Sequence, residues 1–144
     1  VKEIRAETTI HAPIERVWQI LTDADRLPDW NPFLTRMRGE LRRGARLEVR
    51  IRPPGRRAMT FRPVVRVAEP PHRLAWLGRL GLPGIFDGEH THTLERVDAD
   101  TTRYVQSERF RGALVPFTAG VLRATEAGFR AMNDALRERA EGAR

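Results

Sequence analysis

The hydrophobic period changes three times along the 144 residues, and those three changes restrict the fold more than any other feature. Residues 3–11 alternate, with Ile4, Ala6, Thr8 and Ile10 on one parity and Glu3, Arg5, Glu7 and His11 on the other, which predicts a half-buried strand over 2–11. Ala12-Pro13 ends it. Ile14, Val17, Trp18 and Leu21 then recur at helical spacing behind Pro13, a residue suited to a first helical turn. A further turn, N-capped by Asp23, is expected to close before Pro28, so the short helices occupy 13–27.

From Leu34 to Gly112 the texture has period two and is cut by Gly, Pro and Asp. Strands are predicted near 34–41, 45–52, 58–69, 73–80, 85–97 and 101–111. From Leu114 the period returns to 3.6 through Phe117, Val121, Leu122, Thr125, Phe129, Met132 and Leu136, predicting a long helix over 114–140 with a charged, frayed tail. Consecutive strands tend to pair with their neighbours. The expected architecture is therefore α+β: a curved seven-stranded antiparallel sheet wrapped on the C-terminal helix, with two short helices after the first strand. A twisted sheet closed on one helix leaves room for an internal cavity.

The length fits one domain over 1–144, large enough to bury roughly two-thirds of its unfolded surface. With no cysteine, a disulfide framework, a thiolate zinc site and a thiol nucleophile are excluded. The first residues lack a signal-like apolar stretch and no run is long enough to span a bilayer, so a cytoplasmic location is expected. The net charge is +7 and every basic residue but Lys2 is arginine. Arg36, Arg38, Arg50, Arg52, Arg62, Arg66, Arg79 and Arg103 recur evenly through strand-like segments, as on the wet face of a sheet. No nucleic-acid partner is expected; a membrane, protein or ribosome remains as an alternative partner of that face or of the segment Gly81–Ile85.

The turn-rich Val97-Asp98-Ala99-Asp100-Thr101 fixes the register of the last two strands. A three-residue loop at 98–100 sets Val97 against Thr101, and counting outward pairs Leu94 with Tyr104, His92 with Gln106, His90 with Glu108 and Gly88 with Phe110. All eight share one face, which the apolar members turn inward. His90, His92, Gln106 and Glu108 thus point toward the helix, where each must find a partner or a ligand. The carboxylate of Glu108 is expected to orient His90 and raise its pKa above about 6.5, which suits either a satisfied pair or an acid/base couple. His90, His92 and Glu108 are acceptable metal ligands by type, but the expected site holds no metal.

Phe86, Phe110, Phe117 and Val121 complete the expected lining. Trp76 is placed inward, with Gly78 beside it leaving room for a ligand. Trp30 and Phe33 follow a Pro-bounded turn and either gate the mouth or form a satellite core. The segment Gly81–Ile85 suits a lip over the cavity. Phosphate loops, nucleophile-elbow serines and zincin helices are absent, so hydrolase triads and nucleotide cofactors have no support.

Several segments in order resemble one family. Ile10-His11-Ala12-Pro13-Ile14-Glu15-Arg16-Val17-Trp18, then Leu21-Thr22-Asp23 and Trp30-Asn31-Pro32-Phe33, are similar to the opening of the START-like helix-grip (SRPBCC) superfamily, in its polyketide cyclase/dehydrase-like branch. Leu74–Gly78, Phe86–His90, Ser107–Gly112 and Gly128–Asn133 resemble its later strands and closing helix. The resemblance implies a cofactor-free apolar cavity for a small hydrophobic or aromatic ligand, in a monomer or homodimer that carries or senses it. Alternatively it implies a cyclase or dehydratase in which His90 transfers a proton, Glu108 positions it, and Tyr104 or Gln106 steadies an enolate oxygen. His92 stands where the family more often has Phe, which makes this cavity more polar.

Overall fold

The computed structural model describes residues 1–142. In chain order it holds β1 (Lys2–Ile10), α1 (Ile14–Thr22), a 3-10 turn (Ala24–Arg26), α2 (Leu27–Trp30), β2 (Leu34–Arg38), β3 (Glu48–Ile51), β4 (Met59–Phe61), β5 (Val64–Glu69), β6 (Arg73–Arg79), β7 (Asp87–Asp98), β8 (Thr101–Arg111), a 3-10 turn (Val115–Phe117) and α3 (Ala119–Gly142). One sheet runs β1-β8-β7-β6-β5 and a second runs β2-β3-β4, all antiparallel. The α+β class and the sheet wrapped on a C-terminal helix agree with the sequence reading. None of the helices among the described residues is long and apolar enough to cross a membrane.

The expected strand at 58–69 is two strands. Pro63 has no N–H to give a ladder, so pairing breaks there and the chain changes sheet. The break joins the sheets: Gly44 and Leu47 N–H donate to the carbonyls of Val65 and Pro63, and Val65 N–H donates to Ala45 O. The 44–51 stretch thus borders β5 with its first half and pairs with β2 and β4 through its second. Register shifts between Val65 and Val67 and between Leu34 and Arg36 add curvature.

Differences at the helices have local causes. Pro28 sits in the first turn of α2 and does not end the helical stretch, because a first-turn proline gives up no helical hydrogen bond. Asp23 makes no side-chain cap and instead pairs with Arg26 at 3.4 Å. The stretch 114–118 is a separate 3-10 turn, so α3 starts at Ala119. Its last described turn is tied down, since Arg16 Nε donates to Ala140 O at 2.9 Å and His11 N–H donates to Glu141 Oε2 at 2.8 Å; the end of the expected tail, 143–144, lies outside the described residues. α1 buries Ile14, Val17 and Leu21, and α3 buries Leu122, Phe129, Met132 and Leu136 against β1 and the inner sheet face.

Asn31 sets the entry to β2. Its Oδ1 accepts from Phe33 N–H at 3.0 Å and Leu34 N–H at 2.9 Å, an Asx turn that drives Phe33 into the core. The Phe33 ring meets Phe129 edge-on at 5.6 Å and lies against Gly128, where a Cβ would collide with the ring. Gly128→Ala is therefore expected to lower stability by about 1 to 3 kcal/mol, because overpacking a fixed ring outweighs the roughly 1 kcal/mol of helix propensity gained. A denaturant midpoint equal to or above that of the wild type would contradict this packing.

Candidate functional site

Strand alternation puts the even residues of β6, β7 and β8 on the concave face, and they form one wall of a cavity of about 220 Å³. From this sheet come Trp76, Gly78, Gly88, His90, Glu108 and Phe110. The smaller sheet supplies Val49, Ile51, Met59 and Phe61, and α3 supplies Val121 and Thr125. Phe33 closes the inner end, while Arg79, Leu80, Phe86 and Leu114 stand at the outer one. Gly78 and Gly88 are cross-strand partners, so a strip of bare backbone crosses the wall. A Cβ at Gly78 would meet nothing closer than 3.9 Å, whereas one at Gly88 would collide with Glu108 Oε2. Gly88 thus gives the Glu108 side chain its place.

The register of β7 and β8 agrees with the sequence count: His90 faces Glu108, His92 faces Gln106 and Leu94 faces Tyr104. The turn does not. Asp98 pairs with Thr101 and a register shift after Arg96 leaves Val97 unpaired, so a tighter turn plus a bulge gives the same register as a longer loop. Side-chain pairing differs as well. His90 Nε2 bonds Gln106 Oε1 at 2.9 Å, not Glu108. Gln106 Nε2 in turn donates to Asn133 Oδ1 at 2.8 Å and toward Phe129 O at 3.4 Å. With the amide oriented by those acceptors, Nε2 of His90 is the protonated nitrogen.

Burial decides both protonation states. It lowers the His90 pKa to about 4, only partly offset by the Gln106 bond, and it raises the Glu108 carboxyl to about 8. The expected rise in His90 pKa is therefore reversed: Glu108 makes no ion pair with it and holds its own proton at neutral pH. Both groups are thus uncharged within the cavity, and Arg79 at its outer end is paired with Asp87. Glu108 is half-buried, its carboxyl open to the cavity alone within an otherwise apolar surround.

Beneath the cavity lies a closed polar layer. His92 Nδ1 and Tyr104 Oη are 2.6 Å apart, and both residues are fully buried. Burial holds His92 well below its ordinary pKa, with repulsion from His90 second, and pushes the Tyr104 phenol up. The two imidazoles stack at 4.4 Å, Phe129 stacks on His90 at 4.7 Å, and Trp76 packs edge-on against His90 at 5.2 Å. These contacts hold the ring of His90 in place, and the burial they impose favours its neutral form.

Of the residues singled out from the sequence, Phe33, Trp76, Phe86, His90, Glu108, Phe110 and Val121 line the cavity together. His92, Tyr104 and Gln106 share their face but lie one layer deeper, where His92 Nδ1, Tyr104 Oη and the Gln106 amide are engaged and His92 Nε2 is buried without a partner. Phe33 is 1% exposed and belongs to the core as well as the wall, so it is no gate. Trp30 is half-buried away from the cavity. Phe117, expected on the helix stripe, is 82% exposed because the 3-10 turn carries it off the axis of α3. The smaller sheet was missed as a wall, although Val49 and Ile51, and likewise Met59 and Phe61, show the period-two signal. Asn133 was also missed, since one polar residue on an apolar helical stripe gives no sign of its partner.

The fold has clear relatives among solved structures. A Helicobacter pylori hypothetical protein is 21% identical with a TM-score of 0.76, over 97% of this chain and 88% of that one. Truncated norcoclaurine synthase from Thalictrum flavum is 17% identical with a TM-score of 0.72, over 99% and 95%. CalU16 from Micromonospora echinospora is 22% identical with a TM-score of 0.69, over 97% and 74%. At these identities the likeness is one of fold. No curated protein sequence matches the chain. The family model described as polyketide cyclase / dehydrase and lipid transport matches residues 2–141, and with the helix-grip architecture around an apolar cavity it places this chain in that family.

Proposed function

We propose that the protein binds a small, neutral, largely apolar molecule in the cavity between its sheets and α3. The observation that carries this reading is an apolar cavity whose two interior titratable groups, His90 and Glu108, are both held uncharged at neutral pH, with Arg79 only at its outer end. The one cation of the lining, Arg79, stands at the outer end and is paired with Asp87 at 3.6 Å, so a charged ligand would find no free counter-charge in the interior, while a carbonyl or hydroxyl could accept a hydrogen bond from the Glu108 carboxyl. The volume of about 220 Å³ exceeds the 150 Å³ of an engineered cavity that holds benzene, which suits a ligand of about two fused rings.

The test uses naphthol, a neutral aromatic alcohol of that size. Wild-type protein is expected to bind it with one-to-one stoichiometry by calorimetry. Gly78→Val places a branched side chain into open space on a strand, so it is expected to keep or raise stability while abolishing binding. Unchanged binding in a folded Gly78→Val variant would place the site elsewhere.

One feature favours a catalytic second reading: an acid with a pKa near 8 is protonated at neutral pH and can act as a general acid. Here Glu108 would donate the proton and His90 would accept a hydrogen bond at Nδ1, reversing the roles read from the sequence. Turnover of a poly-β-ketone mimic that declines as pH rises through 8 and is lost in Glu108→Gln would support this reading. Binding without turnover would leave the carrier role.

A further inference from the structure

Of the exposed large hydrophobic residues, Leu80, Leu82, Ile85, Leu114 and Phe117 lie on two loops at the cavity mouth. Leu82 is 74% and Phe117 82% exposed. The loops are tied together, since Ala113 N–H donates to Gly84 O and Leu114 N–H to Ile85 O, each at 3.0 Å. Scattered surface leucines are ordinary, but a joined apolar rim around an opening marks an interaction site.

The charge around the rim has one sign. Arg111 precedes the second loop, while Arg56 and Arg123 reach over the start of α3, their Nη2 atoms 2.9 and 3.9 Å from where a Gly120 Cβ would stand. None of these three has an ion pair among the described residues. Between Arg111 and Arg123 the sequence has no acidic residue. On the first loop Asp87 is already engaged, by Arg79 at 3.6 Å and by Gly84 N–H at 3.2 Å. On the convex face, by contrast, Arg103 joins Glu7 and Glu95, and Arg109 faces Glu3.

We propose that this rim docks on an anionic lipid bilayer, its apolar side chains entering the interface and Arg56, Arg111 and Arg123 meeting lipid phosphates, so that the cavity opens toward the membrane. Apolar burial and arginine attraction act together in such contacts. Docking explains why large apolar groups stand exposed beside unpaired cations, and it brings the mouth to the phase in which an apolar ligand dissolves.

The experiment is co-sedimentation with vesicles of equal parts phosphatidylcholine and phosphatidylglycerol, against vesicles of phosphatidylcholine alone. Wild type is expected to sediment with the anionic vesicles and far less with the neutral ones. Leu82→Asp with Phe117→Asp, both solvent-exposed, is expected to fold normally and to lose partitioning by roughly tenfold or more. Arg56→Glu with Arg123→Glu should remove the preference for anionic lipid. The proposal is overturned if wild type stays in the supernatant or if the aspartate variant sediments as well as wild type. A rim-dependent dimer in solution, made monomeric by the same variant, would overturn it too by assigning the surface to a second copy. Naphthol binding is measured without vesicles, so failure here leaves the cavity reading standing.

Discussion

Phe33→Ala is expected to destabilise the protein by about 3 to 5 kcal/mol, the range for deleting a fully buried aromatic ring. The ring is 1% exposed, packs edge-on against Phe129 and fills the space that Gly128 leaves by lacking a side chain. With both neighbours anchored on α3, the site cannot collapse, and the cavity term adds to the lost apolar burial. Denaturant unfolding measures it as a lower midpoint at unchanged slope. A loss below about 1 kcal/mol, typical of a surface change, would return Phe33 to a gating position at the edge.

Glu108→Gln is expected to raise stability at alkaline pH and leave it nearly unchanged in acid. Below pH 4.5 the carboxyl is protonated in folded and unfolded chains alike. Between pH 4.5 and 8 the unfolded chain releases a proton that the folded chain keeps, so wild-type stability falls as pH rises through that window. At about 1.4 kcal/mol per pH unit, the burden at neutral pH is on the order of 3 kcal/mol. The histidines act oppositely: below pH 6.5 the unfolded chain takes up protons that buried His90 and His92 refuse, so stability falls toward acid. From these three groups the stability maximum lies near pH 6.5. Glutamine keeps the shape and hydrogen-bonding capacity, so the variant should lose only the alkaline decline. Parallel pH profiles for the two proteins would show that Glu108 is not held protonated.

The architecture was legible because period is a local property that packing preserves. Alternation through β7 and β8 fixed which side chains face α3, and the register survived a wrong turn because a bulge at Val97 compensates for the shorter loop. Alternation cannot distinguish depth, however. His90 and His92 share a face, yet one reaches the cavity and the other lies under it, packed among Trp76, His90 and Tyr104. The sign of the His90 shift is illegible for a related reason: adjacency to Glu108 predicts an ion pair, but desolvation acts on both groups and Gln106 takes the imidazole. Phe33 and Phe117 exchanged roles because an Asx turn and a 3-10 turn, each only a few residues long, redirect side chains that a periodic reading places by spacing.

A small neutral aromatic molecule is expected to lie inside the protein, not on its apolar rim. Intermolecular nuclear Overhauser contacts from bound naphthol test it most directly. The account predicts contacts to Trp76, Met59 and Val121 together, since these come from the two sheets and α3 and meet only within the cavity. Contacts confined to Leu82 and Phe117 would contradict it.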